Sequence, residues 1–145
     1  MKIAIANDHH GVIRKKEIIK YLSSKGHEII DLGAVSSEAL LDYPEYAFKV
    51  VNAIKNNEAE YGILLCRTGI GMSIAANRFK GIRCAKVDSI SDIKLARNDN
   101  NANIISFSEN MKLYKVKDIL DIYLTTPFLG ERHLRRIEKL DNYDN

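Results

Sequence analysis

The segment LLCRTGIGMSIAAN, Leu64 to Asn77, puts a thiol at the end of an apolar run and a glycine-rich turn directly after it. The turn opens a stretch with helical character. Backbone N–H groups at a helix start attract negative charge and favour a nearby thiolate. Cys66 could therefore abstract a proton. The amides from Gly69 through Gly71 to Ser73 could then hold the oxyanion that forms. Residue types exclude three other glycine-loop chemistries. The nucleotide loop G-x-x-x-x-G-K-[ST] is absent. The third slot of a dinucleotide fingerprint holds Ile74, although Asp88 stands near the spacing of a ribose ligand. A phosphatase-type loop would need arginine six positions after the cysteine, where Met72 stands. The motif alone leaves two readings open: a base facing an oxyanion pocket, or a small residue packed at a strand end.

Two further constellations could act with it. Asn7-Asp8-His9-His10-Gly11 offers a carboxylate and an imidazole able to hydrogen-bond sugar hydroxyls or a phosphate. Asp8 could equally be only a helix cap. Adjacent histidines do not share a helix face and no second Cys/His set exists, so no metal site is expected. Near the C-terminus, ERHLRRIEKL places Arg132 and Arg136 four apart, on one helix face. Two guanidiniums there suit a phosphate, or simply make a solvated basic face.

The elements that must position these residues alternate. KIAIA (2–6), HEIIDLG (27–33), YGILLC (61–66), IRCAKV (82–87) and ANIISFS (102–108) read as strands. Helices are predicted over the segment after Gly11, with Val12, Ile13, Ile18, Ile19 and Leu22 as its apolar stripe and Gly26 as its stop. Others are predicted over 43–59, opened by Pro44, over 72–81, over 89–101 with Ser89 as cap, over 111–125 and over 131–140. Apolar strands separated by helices imply a parallel sheet covered on both faces, with ligands beyond the strands' carboxyl ends.

At 145 residues the chain should form one domain, 1–145. Its net charge of +3 does not by itself argue for nucleic acid. No window has the length of a membrane span, MKIAIAND does not read as a signal peptide, and two cysteines are expected as reduced thiols in a cytoplasmic protein.

The segments IANDHHG, EIIDLG, DYP, GILLCRTGIGMSIAANRFKGIR, ARNDNNANII and GERHLRRI, spread over nearly the whole chain, resemble the type B ribose-5-phosphate isomerases and the related galactose-6-phosphate isomerase subunits. The resemblance implies a three-layer α/β/α sandwich around a five-stranded parallel, Rossmann-like sheet. It implies aldose–ketose isomerisation of a phosphosugar through an enediolate, with no metal or organic cofactor. It implies a homodimer, with a tetramer left open, whose sites are completed by the neighbouring subunit. The C-terminal helix, about 131–141, is then expected against that partner. Carried over by position, Cys66 is the base and Thr68, with the amides of Gly69, Gly71 and Ser73, stabilises the enediolate. Asp8 contacts the sugar and helps open its ring. Tyr43 lines the pocket, Asn100 contacts the sugar, and His9, Arg132 and Arg136 surround the phosphate.

Three positions depart from the family pattern. Arg67 stands where the pattern around the thiol has glycine. Asp99 stands where the type B enzymes usually have a ring-opening histidine, and becomes the candidate for that step. Asn110 stands where a phosphate-binding arginine is usual, and Arg67 is the candidate to replace its charge. An acidic residue at 99 also resembles the galactose-6-phosphate branch, so six-carbon substrates stay open.

Overall fold

The computed structural model describes residues 1–38 and 40–143. Five strands, β1 (Lys2–Asn7), β2 (Glu28–Asp31), β3 (Tyr61–Cys66), β4 (Cys84–Lys86) and β5 (Ile104–Ser108), form one sheet in the order β2-β1-β3-β5-β4. Every pairing is parallel. The helices are α1 (Val12–Ser24), α2 (Tyr43–Lys55), α3 (Ile70–Ala76), α4 (Ile90–Asn98), α5 (Leu113–Thr125) and α6 (Arg132–Asp141).

Side chains of a strand alternate between faces, and each face here has its own apolar layer. Ala4, Ala6, Leu64, Cys66, Cys84 and Ile104 meet residues of α2 and α3. Ile3, Ile5, Ile63, Leu65, Ile105 and Phe107 meet α1, α4 and α5. Ile63, Leu64 and Leu65 are all fully buried, which is why β3 reads as an unbroken apolar run. Helices on both faces of a five-stranded parallel sheet make the three-layer sandwich that the sequence implies.

The chain runs from β1 outward to β2, then returns past β1 to β3. That reversal opens a crevice beyond the carboxyl ends of β1 and β3, where open parallel sheets bind ligands. Asn7 ends one of these strands and Cys66 the other.

Several boundaries differ from the sequence reading, for local reasons. Helix α2 stops at Lys55 rather than near 59, because Asn57 turns left-handed at φ 59°. Helix α3 starts at Ile70, two residues early, and ends at Ala76. Beyond it the Asn77 side chain donates to the Cys84 carbonyl (2.8 Å) and accepts from the Cys84 N–H (2.7 Å), turning the chain into β4. Ser89 caps α4 as read, accepting from the Asp92 N–H at 3.1 Å. In α1 the apolar stripe is corrected. Ile13 is 76% exposed, whereas Lys15 points inward and is only 2% exposed. Its ammonium donates to the Ala34 carbonyl (2.7 Å) and pairs with Asp31 (3.1 Å), which compensates the burial of its charge.

Candidate active site

The carboxyl end of β3 is built from the backbone outward. Cys66 is buried, and its Sγ accepts a hydrogen bond from the Gly69 N–H at 3.1 Å. Thr68 Oγ1 accepts from the Ile70 N–H at 3.1 Å, which closes a tight turn and starts α3 early. Gly69 has φ +84°, and a Cβ there would lie 2.7 Å from the Phe107 Cα. Only glycine lets this loop pass so close to β5 and bring an amide onto the sulfur. Ser73 Oγ donates to the Ile70 carbonyl at 2.9 Å, so in this structure it serves the first turn of α3.

The neighbouring loops meet this one. A Cβ on Gly71 would lie 2.7 Å from the Tyr43 ring, so the first residue of α2 packs against the start of α3. Beyond β1, the Asp8 carboxylate is 4% exposed and accepts from the His10 N–H at 2.8 Å. Gly11, not Asp8, is the N-cap of α1, so the helix-cap reading of Asp8 fails. His9 Nδ1 accepts from the Leu41 N–H at 3.1 Å, which joins this loop to the segment leading into α2. Arg67 and Thr68 are exposed at the rim of the loop.

Two residues the sequence reading passed over hold these loops in register. Asn7 is fully buried, and its Nδ2 donates to the carbonyls of Asp8 (2.7 Å), His10 (3.2 Å) and Ala34 (3.4 Å). Lys15 grips the same Ala34 carbonyl. A buried polar side chain ending a strand was the available signal for Asn7. Lys15 gave none, because lysine in a helix normally faces water.

The structure thus brings Asp8, His9, Tyr43, Cys66, Arg67, Thr68, Gly69, Gly71 and Ser73 to one end of the sheet. Asp99, Asn100, Arg132 and Arg136 are not among them. Helix α4 runs back against the strands, so Asp99 and Asn100 lie before β5, at the sheet's amino end. Ser108, the last residue of β5, is the one opposite Cys66. The strand alone separates the two ends by about 13 Å. At the amino end Asp99 Oδ1 sits 3.5 Å from Nε2 of the buried His133, and the Asn98 carbonyl accepts from the Leu129 N–H at 3.0 Å. Arg132 and Arg136 are exposed on α6 beside this pair.

The second thiol has a different character. Burial pushes Cys84 up to about 12, despite the Ser106 hydroxyl, so it stays protonated and unreactive at neutral pH. Among the described residues no group of three or more His, Cys, Asp or Glu side chains is placed to hold a metal ion. No helix among them is long and apolar enough to cross a membrane.

A thiol held by a glycine loop at the switch point of a parallel α/β sheet, with the Asp8 carboxylate and the His9 imidazole at the same end, is an arrangement able to move a proton on a small polar substrate. The sequence profile of the family described as Ribose/Galactose Isomerase matches residues 3–140. Ribose-5-phosphate isomerase B of Escherichia coli is 42% identical over 140 residues, covering 96% of this chain and 93% of that one. The crystal structure of a ribose 5-phosphate isomerase from Thermotoga maritima superposes with a TM-score of 0.92 at 48% identity, covering 98% of both chains. Ribose-5-phosphate isomerase B from Mycoplasma genitalium, with bound ribulose-5-phosphate, superposes with a TM-score of 0.92 at 40% identity, covering 98% of this chain and 95% of that one. The chain belongs to the ribose/galactose isomerase family, and it is an aldose–ketose sugar-phosphate isomerase.

Proposed function

We propose that this isomerase interconverts ribose 5-phosphate and ribulose 5-phosphate, with Cys66 as the base. The observation that carries the reading is the Gly69 N–H on Cys66 Sγ at the sheet's switch point. The loop that aims this donor at the sulfur can also stabilise the charge that develops on the substrate. Cys66 takes the proton from C2 of the open-chain aldose and returns it to C1. Thr68 and the Gly71 amide hold the enediolate oxygens, since the Gly69 N–H is taken by Cys66 Sγ (3.1 Å) and the Ser73 N–H by the Gly69 carbonyl (3.2 Å). Asp8 hydrogen-bonds the sugar and assists ring opening, Tyr43 walls the pocket, and His9 faces the phosphate. Ribulose 5-phosphate in the Mycoplasma genitalium relative supports a five-carbon substrate.

The second cluster acts across a subunit boundary in this reading. Asp99, Asn100, Arg132 and Arg136 lie too far from Cys66 to serve it within one chain, so they complete the site of a second copy. Helix α6 and the residues just past it offer apolar side chains for that contact: Leu134, Leu140 and Tyr143 are 46%, 62% and 73% exposed.

Proton NMR of the protein with ribose, allose and galactose phosphates in deuterated water tests the proposal. Deuterium at C2 and conversion of ribose 5-phosphate, both lost in Cys66→Ala, is the expected result. Turnover retained by Cys66→Ala would refute the base assignment. Turnover of a six-carbon phosphate in preference to ribose 5-phosphate would favour the second reading, which Asp99 and Asn110 motivate.

A further inference from the structure

Strand β5 is apolar except at alternate positions near its end, Ser106 and Ser108. They face the same side of the sheet as Cys66. Ser106 is fully buried, and its hydroxyl donates to the Gly69 carbonyl at 2.8 Å. Ser108 donates to the Arg67 carbonyl at 2.7 Å and accepts from the Asn110 N–H at 3.0 Å. Two alternate carbonyls of the thiol loop are therefore tied to β5.

A trans peptide points its N–H opposite to its C=O. Tying the Arg67 and Gly69 carbonyls to β5 turns the Thr68 and Ile70 N–H groups away from it. The intervening peptide is left with its Gly69 N–H on Cys66 Sγ. We propose that Ser106 and Ser108 are positioning residues for the isomerisation, two hydroxyl pegs that set the angle at which the 67–70 backbone meets the thiol and the enediolate. Both hydroxyls are already engaged with backbone groups of the protein. Both act through the peptide planes they hold. The Gly69 carbonyl also accepts from the Ser73 N–H at 3.2 Å, whereas among the described residues the Arg67 carbonyl is held by Ser108 and by no backbone N–H. Arg67 is exposed on this loop, and Ser108 anchors that residue's own carbonyl.

The inference rests on the reading of Cys66 as base, and its test separates the two. Ser106→Ala and Ser108→Ala would be made in the full chain. Steady-state kinetics with ribose 5-phosphate would be read beside the pH profile of Cys66 alkylation by iodoacetamide, followed by peptide mass spectrometry without sugar. Ser106→Ala should lower kcat about tenfold and leave KM within about twofold, the pattern of an interaction used mainly in the transition state. Its alkylation profile should change, because the Gly69 amide no longer keeps a fixed place on the sulfur. Ser108→Ala should show both effects in smaller measure. This second variant removes a half-exposed hydroxyl, so it carries the test if Ser106→Ala fails to fold. A lowered melting temperature with unchanged kcat and unchanged alkylation profile would overturn the proposal, as would a loss confined to KM, or a loss of kcat without movement of the alkylation profile. Full turnover by Cys66→Ala would instead refute the base assignment, while the alkylation profiles would still decide whether the serines set the loop.

Discussion

Replacing Gly69 by alanine tests how tightly the thiol loop is built onto β5. Two effects add. An L-residue held at φ +84° is strained by about 1–2 kcal/mol. The new Cβ would also lie 2.7, 2.8 and 2.9 Å from the Cα, N and C of Phe107. Those atoms belong to a strand paired on both sides, with β3 and with β4, so the backbone cannot yield locally. Forcing such a contact costs roughly 1–3 kcal/mol more. Gly81→Ala separates the two effects, because Gly81 has φ +82° and a Cβ there would meet nothing within 4 Å. Gly81→Ala should therefore lose only the strain, about 1–2 kcal/mol. Gly69→Ala should lose about 3 kcal/mol in urea unfolding, near 10 °C in melting temperature for a chain of this size. Its kcat should also collapse, since relief of the clash moves the Gly69 amide off the sulfur. If Gly69→Ala proved no more destabilising than Gly81→Ala, the argument from close approach to β5 would be wrong.

Other perturbations probe separate parts of the molecule. Gly71→Ala meets the Tyr43 ring first, a side chain that can swing outward, so KM should rise while unfolding midpoints stay nearly constant; a large stability loss would contradict that packing. Iodoacetamide should label Cys66 alone in the folded protein, and Cys66→Ala should leave no thiol that reacts until unfolding, because burial holds Cys84 protonated. Arg136→Ala should weaken binding of phosphorylated sugars more than of unphosphorylated ones, measured by thermal shift at matched concentrations. Burial alone would raise the Asp121 carboxyl, but hydrogen bonds from Lys25 and Tyr21 and the lysine's charge outweigh it, and the net shift is downward from 3.8. A carboxylate lowered in the folded state stabilises it above its unfolded value and loses that contribution as pH falls through the acid range. Asp121→Asn should accordingly flatten the acid limb of stability against pH, and an unchanged limb would show the pair to be inert.

The strands and helices were legible because a buried parallel strand and an amphipathic helix write different periods into the chain. Ile63 to Leu65 and the Ser89 cap needed no tertiary knowledge. What the period cannot register is a partner distant in sequence. Ile13 fits the apolar stripe of α1 yet faces water, because Lys15 turns inward to a carbonyl and a carboxylate on the segment around β2. Likewise Ser106 and Ser108 read as small polar interruptions of a strand, since the carbonyls they hold lie 37 and 41 residues earlier. Cys66 and its glycines were visible as a motif, because that part of the site is one continuous segment. The placement of Asp99 and Arg136 at the other end depends on strand order, and only the folded sheet supplies it.

That placement has a genetic consequence. If each site draws its thiol from one chain and its arginines from another, a chain lacking Cys66 and a chain lacking Arg136 fail for different reasons, and each carries what the other has lost. Mixed by unfolding and refolding together, two inactive preparations would form hybrid dimers in which one site holds both defects and the other holds none. Random pairing would restore about a quarter of the sites. A pair of null alleles of this type would complement one another in a single cell, whereas two alleles that both damage the 66–73 loop would not.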